Sequence, residues 1–214
     1  SKILYISGSD GTLNLFVTDK NLSNKKQITF FKNGEQIYNP VFHSDGKTAV
    51  FDFSHTEARK IAKVDVESGS MEFIFDDDVI DFRTPVVSAD GTKMFFSSNE
   101  TGIFNIYSYD FATKGIKQIT NVIGGAFMPT IDNKGSIAFT TYKSDGFKIA
   151  YLKDFLEKEK TEYGHYKAPN KLVPKYSSLD TTGGKENKHD WKSLRNFNDD
   201  NIKKLESKNY KSIF

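Results

Sequence analysis

The chain contains no cysteine, which excludes disulfides, thiolate metal sites and cysteine catalysis. That absence fits the cytoplasm and an envelope compartment equally and selects neither. No apolar run approaches the roughly 18–20 residues that a membrane-spanning helix needs. Proline is scarce, with five residues, and tryptophan occurs once. A strong charge of one sign is missing too. The formal net charge of +2 gives no ground for expecting a nucleic-acid or anionic-membrane partner. The N-terminal Ser1-Lys-Ile-Leu-Tyr-Ile6 carries no signal peptide and opens directly in a strand pattern. It reads as the start of a processed or truncated chain.

What is abundant is aromatic: 19 Phe and 10 Tyr, residues that favour strands. Charge divides the chain unevenly. Residues 1–155 hold 17 Lys/Arg against 19 Asp/Glu, a balance of −2; residues 156–214 hold 13 against 9, a balance of +4. The body and the tail are different materials.

The body repeats. Pro40, Pro85 and Pro129 stand 45 and 44 residues apart, and each opens a short strand, a tight turn and a second apolar strand. That second strand recurs as Ile3–Ser7, Thr48–Phe53, Lys93–Ser97 and Ser136–Thr140. A third follows as Leu13–Thr18, Lys60–Val64, Asn105–Tyr109 and Lys148–Leu152, trailed by Asp19, Asp65, Asp110 and Asp154. A fourth reads Lys26–Phe30, Met71–Phe75 and Lys117–Thr120, two of them sharing Lys-Gln-Ile-Thr. Asp45-Gly46, Asp90-Gly91 and Lys134-Gly135 supply turns between strands one and two, where glycine takes positive φ at low cost. Short strands at this spacing predict four-stranded antiparallel sheets, and a period of about 45 residues predicts an all-β propeller.

The segments Asn39-Pro-Val-Phe-His-Ser-Asp-Gly-Lys47 and Thr84-Pro-Val-Val-Ser-Ala-Asp-Gly-Thr92 resemble the Pro-x-x-Ser-x-Asp-Gly-Lys core of TolB-type propeller repeats. These are relatives of WD repeats, found also in tricorn and prolyl-oligopeptidase propellers. The resemblance covers residues 1–155, about three and a half to four blades. Such propellers have six or seven, and the first unit here lacks its opening strand. The chain is therefore expected to be part of a larger propeller. Alternatively, a strand near 172–180, where Pro174 lies 45 residues after Pro129, closes the ring. Residues 156–214 read as a polar C-terminal extension or linker with a short helix near 198–208.

The residues that invite a chemical reading have structural explanations. Asp76-Asp-Asp78 with Asp81 lacks the alternate spacing and turn glycine of a calcium loop and falls between blades. The strand-ending aspartates read as turn caps. His43, His55, His165 and His189 are scattered without metal-ligand grouping. No Gly-x-Ser-x-Gly elbow is present, and Ser7-Gly-Ser9 and Ser68-Gly-Ser70 read as strand-edge turns. Gly124-Gly125 is not a phosphate loop. Asp52 on its strand and Asp132 just after one are candidate carboxylates for glycan chemistry, although the repeat pairs neither. The sequence thus nominates no catalytic residue, no cofactor-binding residue or cofactor, and no metal site.

The resemblance implies a non-catalytic scaffold for protein–protein interaction in a bacterial cell envelope, located in the periplasm. Its expected partners are other envelope proteins or further domains of the same polypeptide; no nucleic acid and no transmembrane helix are expected. The alternatives are the propeller of a larger prolyl-oligopeptidase-like or tricorn-like peptidase, or a glycan-active propeller.

Overall fold

A computed structural model of the chain describes residues 2–9, 11–153 and 155. The chain divides into two units, Ser1–Lys171 and Leu172–Phe214, and the described residues belong to the first. The extension over 156–214, with its expected strand near 172–180 and helix near 198–208, lies outside them.

Four antiparallel sheets follow one another along the chain, each with strands adjacent in chain order. Blade one holds β1 (Lys2–Ser9), β2 (Thr12–Asp19) and β3 (Lys26–Gln27). Blade two holds β4 (Gln36–Phe42), β5 (Thr48–Ser54), β6 (Lys60–Asp65) and β7 (Met71–Phe75). Blade three holds β8 (Phe82–Val87), β9 (Lys93–Ser98), β10 (Asn105–Asp110) and β11 (Ile116–Gln118). Blade four holds β12 (Ala126–Ile131), β13 (Ile137–Lys143) and β14 (Gly146–Leu152). The register is the same from blade to blade: Lys2, Thr48 and Lys93 lie opposite Asp19, Asp65 and Asp110. Blade one begins at the strand equivalent to β5 and β9, as its sequence indicates.

Strand periodicity places alternate residues on opposite faces of each sheet, and both faces are apolar. Blade one contributes Leu15, Val17 and Ile28 to a core completed by Ile37, Phe51 and Val64 of blade two. The other face of blade two sends Val50, Ile61 and Phe75 against Phe82, Phe96 and Tyr107 of blade three. Blade three repeats the step, packing Phe95 and Ile106 on Ala126, Ile137 and Phe139 of blade four. Ile149 occupies the position of Ile61 and Ile106, which are fully buried, yet is 83% exposed.

Every opening strand is bulged at the proline motif. The ladder slips between Tyr38 and Val41, between Arg83 and Val86, and between Phe127 and Thr130. The residue ahead of each proline takes positive φ: Asn39 at 47°, Thr84 at 55° and Met128 at 51°. Bulges bend a strand and re-aim its side chains, and the three strands carry theirs at equivalent positions.

The fourth strands depart from expectation, because the ladder ends after Gln27 and Gln118 rather than running to Phe30 and Thr120. Shared Lys-Gln-Ile-Thr explains why. Thr29 Oγ1 accepts the Leu15 amide at 2.9 Å and donates to Asn14 Oδ1, replacing the backbone acceptor. Thr120 does the same with the Ile106 amide and Asn105. Blade two has Phe75 and Lys60 at these positions, and its β7 runs its full length.

Candidate binding face

Antiparallel order puts the one-to-two and three-to-four hairpins at one edge of every sheet. The two-to-three hairpins and the connections between blades lie at the other. The two edges differ in how strictly they repeat.

At the first edge each aspartate closes its own turn. Asp19 accepts the Asn21 and Ser23 amides, Asp65 those of Glu67 and Ser68, and Asp110 those of Ala112 and Thr113. Asp45, Asp90 and Asp132 cap the one-to-two turns in the same manner, toward Thr48, Thr92 and Ser136. These bonds favour the ionised carboxylate and hold its pKa below the ordinary range. At Asp45 burial pushes upward, but the Thr48 and Lys47 amides outweigh it and bring the value to about 2. His43 belongs to this edge. Its Nε2 meets the Gly91 carbonyl at 2.9 Å, its ring stands edge-on to Phe111 at 5.0 Å, and Asp45 faces its Nδ1 at 3.2 Å. It fastens blade two to blade three, a structural role.

The opposite edge is built from residues that do not repeat. Asp52 is fully buried, in the slot filled by Ser97 in blade three and Thr140 in blade four. Asn39 Nδ2 donates to it at 3.0 Å, and Arg59 Nη1 does so at 3.1 Å. Burial pushes its pKa up, opposed first by Asn39 and then by Arg59. Its partner is thus a guanidinium, not a second carboxylate, and it serves to fix Arg59. The same guanidinium lies over the Tyr38 ring, 3.9 Å from its centre. In blade three the roles are exchanged: Arg83, aligned with Tyr38, sits 5.0 Å over Phe104, aligned with Arg59, and pairs with Asp81 at 2.6 Å. Blade four has phenylalanine in both positions, Phe127 and Phe147, with ring centres 6.4 Å apart. A planar cation over an aromatic face is thereby held rigidly in two successive blades.

The acidic run lies beside these pairs. Lys60 Nζ reaches Asp76 at 2.5 Å and Asp78 at 2.8 Å, and Asp77 caps the Val79 and Ile80 amides. Asp81 accepts the Arg59 amide at 2.7 Å, while its own amide donates to Asn99 at 2.8 Å. One connection is therefore tied to the hairpins on both sides. His55 Nε2 meets the Asn33 carbonyl; His165 and His189 lie outside the described residues. Among the described residues no group of His, Asp and Glu converges as metal ligands would. Sequence reasoning flagged Asp52 and the acidic run but missed Tyr38, Arg59, Arg83 and Phe104. The signal was present: these are equivalent positions of the repeat whose identities change.

No protein-family profile matches the chain. A curated relative, the Protein TolB homolog of Chlorobium chlorochromatii, is 34% identical over 74 residues, covering 34% of this chain and 17% of the relative. TolB from Acinetobacter baumannii superposes with a TM-score of 0.60 at 25% identity, over 70% of this chain and 37% of that one. A putative TolB from Agrobacterium tumefaciens gives a TM-score of 0.63 at 17% identity, over 72% of this chain and 58% of that one. The chain spans 17% of the curated relative and 37% and 58% of the two solved structures. The described residues thus form four consecutive propeller blades similar to those of TolB, the first and fourth three-stranded.

Proposed function

We propose that this protein is a non-catalytic binding scaffold of a bacterial cell envelope, engaging a protein partner through the edge that carries the blade connections. One observation carries the reading. Arginine and aromatic residues, the types that dominate protein–protein hot spots, occupy changing positions of an otherwise strict repeat and are held rigid there. Asp52 and Tyr38 fix Arg59, and Asp81 and Phe104 fix Arg83. Loops presented by a rigid sheet scaffold are where binding residues concentrate. The TolB-like repeat supports the envelope setting.

A photo-crosslinking amino acid placed at Val79 in bacterial cells tests this, with the same group at Lys114 on the opposite edge as reference. A discrete cross-linked protein from position 79 alone is expected. Equal capture from both positions, or none from 79, would sink the reading.

A further inference from the structure

We infer that the connection edge of blades two to four docks a protein segment that is positively charged and carries apolar side chains. This rests on the scaffold reading above and assigns the partner's chemistry. The first observation is exposed apolar surface in the connections themselves. Val79 is 83% and Ile123 93% exposed, and they are equivalent positions, each three residues ahead of an opening strand. Ile103, in the hairpin between them, is also exposed. Large apolar residues this exposed in loops are not needed by any sheet, whose apolar requirement is met by the cores between blades.

The second observation is charge. In the connection after β7 and the hairpins flanking it, Glu57, Asp76, Asp77, Asp78, Asp81 and Glu100 stand against Arg59, Lys60 and Arg83, six acids to three bases. The three bases are already engaged within the edge, Arg59 by Asp52, Lys60 by Asp76 and Asp78 and more distantly by Glu57 at 3.7 Å, and Arg83 by Asp81. A partner meets the remaining negative charge, and Glu57 already holds a raised pKa because Asp78 hydrogen-bonds and repels it. An incoming cation relieves that repulsion; an incoming acid adds to it.

The third observation is contiguity. Asp81 binds the hairpins on both sides, and the Ala126 amide donates to the Phe104 carbonyl at 2.7 Å, joining the next connection to the same surface. Ile149 and Tyr151 are excluded from this surface, because they lie farther along β14, away from its hairpin.

Two short synthetic peptides with identical apolar residues, one interspersed with lysine and one with glutamate, are titrated against the full chain by fluorescence anisotropy. The lysine peptide is expected to bind at least about tenfold more tightly, with that advantage shrinking at high salt. The double variant Glu57→Gln/Glu100→Gln reduces the advantage, and Ile123→Ser weakens binding of the lysine peptide, whereas Leu22→Ser on the opposite edge changes neither. All three variants are at exposed positions, and thermal melts check that each remains folded. Equal binding of the two peptides overturns the charge assignment, as does loss of binding through Leu22→Ser alone. Cross-links from position 79 to a partner lacking basic surface would refute this inference and leave the scaffold reading intact. Absence of those cross-links refutes the scaffold reading itself.

Discussion

The two edges of these sheets are made of similar amounts of loop but obey different constraints. At the turn edge, Asp45, Asp90 and Asp132 perform one task in three blades, because a tight hairpin leaves amides that only a short carboxylate reaches. At the connection edge, Tyr38, Arg83 and Phe127 share a position and nothing else. The fold demands a capping carboxylate at the first edge, which blade four supplies from the slot of His43 and Ser88, and makes no such demand at the second. Identity that is free to vary can serve a partner.

The contrast can be broken most forcefully at Gly91. Its φ of 73° disfavours a β-branched residue, and a Cβ there runs into the Ser44 hydroxyl and the His43 ring. Gly91→Val is expected to cost about 4 kcal/mol in urea denaturation, combining backbone strain with overpacking. Gly11→Ala, where the φ is similar but a Cβ meets nothing, should cost about 1 kcal/mol. Comparable losses at both glycines would show that the His43 junction is unimportant.

At the connection edge, Arg59→Met strands the buried Asp52 with Asn39 as its remaining side-chain partner. A loss of about 3 kcal/mol is expected, with partial recovery in Asp52→Asn/Arg59→Met. Stability of the single variant should rise as pH falls. A carboxylate whose folded pKa is raised binds its proton more tightly in the folded state, so acid relieves the buried charge. No change in either measurement would mean that Arg59 is not held as described, and the contrast between edges would lose its anchor.

Thr29→Val is next, removing the acceptor for the buried Leu15 amide and the donor to Asn14. About 2 kcal/mol should be lost, with amide exchange at Leu15 accelerated. A neutral effect would mean that the Lys-Gln-Ile-Thr repeat has another cause.

The smallest effect is expected from Asp45→Asn, seen in the pH profile more than at neutrality. The lowered pKa stabilises the fold above the ordinary carboxylate range, and that contribution disappears as pH falls toward about 2. The variant should flatten the acid limb of a stability curve; an unaltered limb would assign acid sensitivity to other groups.

Much of this was legible along the chain. The proline spacing, the aspartates after strand three and the positive-φ glycines 46, 91 and 135 are local features. They announce themselves because turn chemistry depends on a few neighbouring residues. The extent of the fourth strands was not legible. Whether Thr29 closes a ladder or ends one depends on Asn14, fifteen residues away and across a sheet. Asp52 was visible as a lone carboxylate, but its meaning waited on Arg59 and on the bulge that brings Asn39 to it.

The sequence by itself determined the repeat, the strand order within each blade and the resemblance to TolB-type repeats, since periodicity and turns are written in short stretches. Only the tertiary structure decided which of the changing positions meet. Stacking of Arg59 on Tyr38 and Arg83 on Phe104, and the joining of an acidic connection to two hairpins, follow from sheet twist, bulges and packing between blades. Those contacts link residues separated by eighteen to twenty-two positions, which no local pattern records.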